Sequence, residues 1–266
     1  MLTSTFIHAQ GVGLATERRI WEQGILHWRE FLSDPDRVKL TASQRAILLD
    51  TVGTSVESLN GRDHLFFARY LPAKEHWRAY DEFGANAAFV DIETTGMGLE
   101  SHITVIGLYD GREMKQFIRG INLEDFELEA ERYPMLVTFF GTNFDLPRIR
   151  YHFRGLRLDQ LHVDLCFAMR RLGLTGGLKR VEVALGLDRD PETKGLDGWD
   201  AVRLWWEYEN GGSRDALQLL LKYNEEDVVH LKTLMDYTYA ELRGRCLGAM
   251  ESGEWGGGRP VARSRT

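Results

Sequence analysis

A short apolar run that ends in two carboxylates constrains the fold of this chain more than any other feature. Residues 87–92 read Ala-Ala-Phe-Val-Asp-Ile, and Glu93 follows them. A run of this length and composition is typical of a buried β-strand. Because residues i and i+2 of a strand point to the same face, Asp91 and Glu93 are predicted to project together from the strand end, where a Thr94-Thr95-Gly96 turn begins.

The Asp-x-Glu pattern is common, and only its surroundings make this copy informative. The pattern also occurs at 125–127 and at 190–192. No apolar strand precedes either of those copies, and Pro191 argues against a strand at the second one. The pair at 91 and 93 is therefore the candidate for a functional site.

The order of the predicted elements indicates an α/β domain. Further strand candidates lie at 103–109, 115–118 and 135–140, and Asp110-Gly111 is a hairpin signal between the first two. Helical patterns then dominate, at 147–153, 164–172, 178–185, 199–208 and 213–242. Strands that give way to helices in this order predict an α/β domain over residues 84–243.

Two regions flank that domain. Residues 1–80 show helical periodicity at 16–32 and 41–59, so they are predicted to form a small helical region. Within it, Gly11-Val12-Gly13 resembles a degenerate helix-hairpin-helix turn, which would offer backbone N–H groups to phosphates; packing between helices is the alternative. Residues 252–266 are rich in Gly and Arg and are expected to form a flexible tail.

Composition favours a globular protein of the cytoplasm. Hydrophobic residues make up 43% and charged residues 27% of the 266 residues, which is ordinary for such proteins. No apolar run is long enough to cross a membrane, and the N-terminus lacks the pattern of a secretory signal. Cys166 and Cys246 have no CxxC spacing, so we expect two inert thiols. Nothing indicates an obligate protein partner.

Charge is distributed unevenly along the chain, and the distribution bears on the partner. The formal net charge is −7, to which residues 81–244 contribute −10. An acidic region can hold divalent cations, which would offset part of its charge. Within it, residues 148–180 carry eight Lys and Arg side chains against two acidic ones. This basic stretch suits a nucleic-acid partner, and a solvated surface is the alternative.

Asp145 is a further acidic candidate. It lies five residues beyond the predicted strand at 135–140, at the start of a helix that Pro147 opens. Sites in open α/β sheets collect at the strand ends, which favours a place beside Asp91. Taken alone, Asp145 has an ordinary alternative as the N-cap of that helix.

Tyr223 and Asp227 form a pair on one predicted helix. Their i, i+4 spacing within 213–242 puts both side chains on one face, about 6 Å apart along the axis. No other tyrosine of the chain has an aspartate four positions on. A hydrogen-bonded surface pair is the alternative. His230 lies near the same face and is a candidate to support Asp227.

Together, three segments resemble the exonuclease motifs of the DEDD superfamily, in the order found in its DnaQ-like members. They are Asp91-Ile92-Glu93-Thr94-Thr95-Gly96, Asn143-Phe144-Asp145-Leu146-Pro147 and Tyr223-Asn224-Glu225-Glu226-Asp227. The tyrosine marks the DEDDy branch, and the second segment resembles the proofreading domain of family B DNA polymerases. The layout with its N-terminal extension resembles bacterial YprB-like predicted exonucleases. The resemblance covers residues 84–242 well and implies a ribonuclease-H-like mixed sheet flanked by helices.

The resemblance also implies roles for the site residues. Asp91, Glu93, Asp145 and Asp227 would hold two Mg²⁺ or Mn²⁺ ions, for which carboxylate oxygens are suitable ligands. Tyr223 would orient the attacking water or help to deprotonate it. One position departs from the family, since many relatives carry an Asn where this chain has Gly141. Asn143 lies nearer to Asp145, which would change how a substrate nucleotide is held without removing a carboxylate.

Several other residues are candidates for contact with nucleic acid. Thr94 and Asn143 lie within the motifs, and Lys179 and Arg180 follow two glycines at the start of a predicted helix. Ordinary turn and surface roles are their alternatives. Asp164 is a rival metal ligand because it follows a strand-like segment and begins a helix, although the favoured interpretation is an N-cap.

The function that follows is a metal-dependent 3′→5′ exonuclease that releases nucleoside 5′-monophosphates. Two alternatives stay open: a nucleic-acid-binding module with little turnover, and an endonuclease on the same scaffold. The intact set of carboxylates and tyrosine favours catalysis over a relic site. Whether DNA or RNA is cleaved is not readable, because nothing in the sequence registers a 2′-hydroxyl.

Overall fold

Five strands form one mixed sheet. In the computed structural model the strands are β1 (Ala87–Thr94), β2 (Ile103–Tyr109), β3 (Met114–Ile118), β4 (Met135–Thr138) and β5 (Leu161–Asp164). Their order across the sheet is β3-β2-β1-β4-β5. β2 is antiparallel to β1 and β3, whereas β1, β4 and β5 run parallel to one another. The structure describes the backbone of residues 1–251 and the side chains of residues 1–248.

The helices lie before the sheet, between its strands and after it. Residues 1–251 contain α1 (Leu14–Glu22), α2 (Trp28–Ser33), α3 (Ala42–Asn60), α4 (His64–Tyr70), α5 (Tyr80–Phe83), α6 (Phe126–Ala130), α7 (Asp145–His152), α8 (Leu165–Arg170), α9 (Leu178–Ala184), α10 (Gly198–Gly211) and α11 (Arg214–Glu251). The prediction of a mixed sheet flanked by helices and preceded by a small helical region is confirmed. No helix among these residues is both long and apolar enough to cross a membrane.

β1 is the central strand, and its alternating side chains enter two different hydrophobic clusters. Phe89 packs in a cluster that also contains Val228 of α11, whereas Val90 packs in a second cluster with Ile149 of α7. This alternation follows from the two-residue period of a strand. Asp91 and Glu93 therefore continue the face of Phe89 and point toward α11.

α11 crosses the sheet closely enough to bring its side chains to β1. The close approach depends on Gly107 of β2, because a Cβ atom there would lie 2.2 Å from Oδ1 of Asn224 and 2.7 Å from Cγ2 of Val228. The glycine thus lets one turn of α11 lie against the centre of the sheet. That turn carries Tyr223 and Asp227, so the packing determines where the site forms.

The N-terminal region differs from the predicted pattern at one point. The helical periodicity at 16–32 is divided between α1 and α2. Gly24, with a φ of 80°, lies between them, and a left-handed glycine is a common way to end a helix. Trp28 and Phe67 of this region share one hydrophobic cluster with Phe89 of the sheet. The helices therefore cover one face of the sheet.

Two further expectations concern the ends of strands and of the chain. The predicted hairpin is confirmed, since Tyr109 pairs with Met114 across the turn that contains Gly111. The predicted strand at 135–140 ends earlier, at Thr138, because Phe140 adopts a left-handed conformation with a φ of 67°. The predicted flexible tail at 252–266 lies outside the described residues.

Candidate active site

Three carboxylates from two distant parts of the chain meet at the end of β1. Oxygens of Asp91, Glu93 and Asp227 all lie within 4.8 Å of one another. β1 supplies the first two as residues i and i+2, and α11 supplies the third from the turn that packs on the sheet. Glu93 and Asp227 are buried, at 7% and 6% exposure, while Asp91 keeps partial exposure.

Asp145 lies beside β1, at the start of α7. Its Oδ1 accepts a hydrogen bond from the backbone N–H of Ile92 at 3.2 Å, so the side chain reaches across to β1. The N-cap residue of α7 is Phe144, which excludes the N-cap alternative for Asp145. Beyond the effect of burial, the charge of Asp145 raises the pKa of Asp91 and of Glu93, although Asp145 is not one of the three carboxylates that approach within 4.8 Å of one another.

Burial raises the pKa of all four carboxylates, and the charges of the others add to the shift of Asp91 and of Glu93. Burial raises the pKa of Asp91 and of Glu93 well above the usual range, and the neighbouring carboxylates raise both further. Burial also raises the pKa of Asp145, to about 7, against the opposing effect of its backbone hydrogen bonds. Like charges in a poorly solvated place favour the protonated forms. The cluster therefore holds protons, or a cation in their place.

Asn224 fixes the orientation of Asp91. Its Nδ2 donates to Oδ2 of Asp91 at 3.1 Å, and its side chain is fully buried against Gly107. Asn224 lies next to Tyr223 in the third motif, but neither the motif nor the helical spacing marked it as a functional residue. Its contribution depends on the contact between α11 and β2, which becomes visible only in the fold.

Arg189 is a site residue that the sequence did not indicate. Its Nη2 contacts Oδ1 of Asp227. The same guanidinium donates two hydrogen bonds to Glu182 of α9, from Nε to Oε2 at 2.8 Å and from Nη2 to Oε1 at 2.7 Å. His230 contacts Glu182 at 2.9 Å, so it supports Asp227 through Glu182 and Arg189 rather than directly. Arg189 stands in a segment without a motif, and no local pattern could have identified it.

Tyr223 lies one helical turn from Asp227 and meets a cation. Nζ of Lys179 donates to the Tyr223 hydroxyl at 3.1 Å and also contacts the carbonyl of Leu196. Burial raises the pKa of Tyr223, and the charges of Asp227 and Glu93 raise it further, so the hydroxyl keeps its proton at neutral pH. Tyr223 can therefore donate a hydrogen bond in the site.

The other predicted contacts to nucleic acid are placed differently from one another. Thr94 is buried, and its hydroxyl donates to the carbonyl of Gly96 at 2.6 Å. Asn143 and Arg180 have exposed side chains. Lys179 is half-buried and engages Tyr223, as described above. Two of the four residues thus face solvent, and the other two form hydrogen bonds within the protein.

Asp164 has a structural role. Its Oδ1 accepts hydrogen bonds from the backbone N–H groups of Phe140 at 2.8 Å and of Cys166 at 3.1 Å, and Oδ2 accepts one from Thr142 at 3.0 Å. It is the N-cap of α8, as the favoured interpretation predicts. Both of its oxygens accept from backbone donors, and Asp164 is not one of the three carboxylates within 4.8 Å of one another, although its charge adds to the effect of burial in raising the pKa of Asp145.

Gly141 is the position expected to depart from the family motif, and its backbone packs closely on Thr138. A Cβ atom there would lie 2.2 Å from Oγ1 and 2.5 Å from Cβ of Thr138. The Thr138 hydroxyl is also hydrogen-bonded to Nε2 of His162 at 2.9 Å. Any larger side chain at 141 requires Thr138 to move.

The donor set of the site fits a hard divalent cation. All four candidate ligands are carboxylates, which Mg²⁺ and Mn²⁺ prefer over nitrogen or sulfur donors. The raised pKa values of Asp91 and Glu93 show that the protein alone leaves their negative charge uncompensated. Arg189 neutralises Asp227 in part, and it occupies only Oδ1 of that side chain.

Comparison with known proteins supports the same fold. No curated protein and no solved structure matches the chain significantly. A family comparison matches residues 88–239 to the RNase H superfamily. The matched segment runs from β1 into α11 and includes all four carboxylates and Tyr223. Since the match spans more than half of the 266 residues, this chain belongs to the RNase H superfamily.

Proposed function

We propose that this protein is a metal-dependent 3′→5′ exonuclease of the DEDDy type. The observation that carries the proposal is the approach of Asp91, Glu93 and Asp227 to within 4.8 Å of one another, with Asp145 beside them. Membership of the RNase H superfamily suggests a nuclease-like function for such a cluster. Tyr223, on the same helix face as Asp227, supports the DEDDy assignment.

Asp91, Glu93, Asp145 and Asp227 would hold two Mg²⁺ or Mn²⁺ ions. When bound, the ions would stabilise the attacking and leaving oxygens of an in-line phosphoryl displacement. The Tyr223 hydroxyl would orient the attacking water by a hydrogen bond or help to deprotonate it, and its raised pKa favours the first role. Asn224 would keep Asp91 in its ligating orientation. The product would be a nucleoside 5′-monophosphate.

The substrate is nucleic acid, DNA or RNA, in this proposal. The exposed side chains of Asn143 and Arg180 are proposed contacts to it, together with Lys179 and Thr94 nearer to the site. A binding module with little turnover is the first alternative, and the complete carboxylate set argues against it. An endonuclease on the same scaffold is the second, and blocked or circular substrates distinguish it from an exonuclease.

A cleavage panel tests the proposal. Single- and double-stranded DNA and RNA, labelled at the 3′ or the 5′ end, are incubated with Mg²⁺, Mn²⁺ or EDTA. We expect stepwise loss from the 3′ end with metal. Asp91→Ala should lower the rate by at least about 10³-fold, because it removes a proposed ligand of the ions that would stabilise the charge of the transition state.

Asp125→Ala is the matched control, because Asp125 is exposed and begins another Asp-x-Glu pair far from the cluster. Melting curves establish that both variants fold. Wild-type activity in Asp91→Ala would contradict the site assignment, and cleavage of circular strands would favour the endonuclease.

A further inference from the structure

One nitrogen of the Arg189 guanidinium is buried without a partner. The side chain is only 7% exposed. Nε and Nη2 bond to Glu182, and Nη2 also contacts Asp227. Nη1 has no hydrogen-bond partner among the described residues. A buried charged donor without an acceptor is costly, and such exceptions in folded proteins call for an explanation.

A role as counter-charge to Asp227 does not explain this arrangement. Glu182 is a second carboxylate on the same guanidinium, and it offsets the positive charge that Asp227 would need. His230 in turn contacts Glu182, so several side chains are used to hold one arginine in place. These contacts fix the orientation of the guanidinium plane and leave Nη1 as its one nitrogen without a partner among the described residues.

The Arg189 guanidinium lies beside the tyrosine of the site. The guanidinium carbon of Arg189 is 5.7 Å from the centroid of the Tyr223 ring, and Nζ of Lys179 is 4.7 Å from the same centroid. Two cations thus flank the residue that is one turn from a proposed metal ligand. An anion that approached Tyr223 and Asp227 would meet both.

We propose that Arg189 binds a phosphate oxygen of the nucleic-acid substrate through Nη1. Glu182 and Asp227 act as positioning residues that hold the guanidinium for this contact, and Lys179 supplies a second positive charge across Tyr223. A planar guanidinium suits phosphate oxygens, and here its other two nitrogens are already fixed. The inference rests on the proposed function and adds a substrate-binding residue to it.

Binding without hydrolysis tests the inference. The affinity for a 5′-fluorescein-labelled single-stranded DNA dodecamer is measured in EDTA and in Ca²⁺, at several salt concentrations, for the wild type, Arg189→Lys and Arg189→Met. Arg189→Lys keeps the charge but cannot bond to Glu182, Asp227 and a phosphate together. We expect both variants to bind about 10-fold more weakly. In Arg189→Met the log–log salt slope should also flatten by about 0.7.

Arg132→Met is the matched control, because Arg132 is 69% exposed, pairs only with Glu129 and lies before β4, at the opposite end of the sheet. Calorimetric titration with Mn²⁺ measures separately whether each substitution alters the proposed metal ligands, and Arg132→Met should keep the wild-type Mn²⁺ affinity. Unchanged strand affinity in both Arg189 variants would overturn the inference, as would a wild type that binds no strand in either buffer.

The two proposals fail in different ways. A wild type that binds the strand through Arg189 but hydrolyses nothing with any metal contradicts the exonuclease and leaves the phosphate contact standing. Hydrolysis that depends on Asp91, with strand binding indifferent to Arg189, contradicts only the phosphate contact.

Discussion

The protein contains two buried clusters of charge that are built in opposite ways. In the N-terminal region, Nη1 of Arg78 contacts both oxygens of Glu17 at 3.0 Å and 2.8 Å, and its Nε contacts Glu75 at 2.8 Å. At the end of β1, Asp91, Glu93 and Asp227 lie close to one another. The first cluster alternates in sign, since Arg78 pairs with both Glu17 and Glu75, whereas in the second only Asp227 has an arginine contact among the described residues, from Arg189.

The contrast shows how a functional cluster differs from a structural one. Burial raises the pKa of Glu17, and Arg78 then opposes that shift. Burial also raises the pKa of Asp91, but there the neighbouring Asp145 and Asp227 add to the shift. A structural ion pair thus compensates its own charges. The site instead leaves negative charge that a cation from solution must neutralise.

The largest expected effect is the loss of the alternating cluster. Arg78→Met leaves Glu17 and Glu75 buried without their main partner, so it should lower the free energy of unfolding by about 3–5 kcal/mol. Urea denaturation measures this change. Arg132→Met, at an exposed pair, should stay within about 0.5 kcal/mol of the wild type.

The same measurement on Asp91→Asn sharpens the contrast. In EDTA this variant should be as stable as the wild type or more stable, because it removes one of several like charges. If Arg78→Met were tolerated and Asp91→Asn unfolded the protein, the assignment of structural and functional roles to the two clusters would be reversed.

The next effect is smaller and depends on pH and metal. The pKa of Asp145 is raised from 3.8 to about 7, so the folded protein retains a proton that the unfolded chain releases. In EDTA, stability should therefore fall as the pH rises from about 5 through 7, because the unfolded state binds fewer protons. Mg²⁺ at 100 times its dissociation constant should restore about 2.7 kcal/mol above pH 7.

Thermal melting across this pH range, with and without Mg²⁺, measures both parts of that prediction. Asp145→Asn should flatten the decline in EDTA, since the variant cannot release that proton. A melting temperature that rises with pH in EDTA would contradict the pKa direction, and with it the view that the site lacks its own compensating charge.

The periodicity of the sequence predicted those parts of the site that lie on a single strand or a single helix. The two-residue period of β1 was enough to pair Asp91 with Glu93, and the helical period paired Tyr223 with Asp227. The separate strands and the helix content were predicted for the same reason. The order of the three motifs then predicted that Asp145 belongs with them, because a resemblance to a family carries information about how elements pack, which periodicity does not.

Contacts between elements were beyond such rules. The hydrogen bonds between Glu182 and Arg189 depend on how α9 and the segment after it pack against α11. No spacing in the sequence encodes this packing. Lys179 was expected to meet a phosphate backbone, and the structure places it on the Tyr223 hydroxyl. The break between α1 and α2 at Gly24 was missed because the apolar periodicity continues across it.

The smallest expected effect concerns the neutral member of the site. Tyr223→Phe removes a hydroxyl that carries no charge and leaves all four carboxylates in place, so the metal ions should still bind. We expect about a 10-fold fall in kcat for hydrolysis, equivalent to one hydrogen bond to the attacking water, with unchanged Mn²⁺ affinity. Tyr80→Phe, which removes a hydroxyl bonded to Asp236 at 2.7 Å, is the control and should leave kcat unchanged. A fall as large as that of Asp91→Ala would mean that Tyr223 does more than orient water, and that the division between charged and neutral residues of the site is wrong.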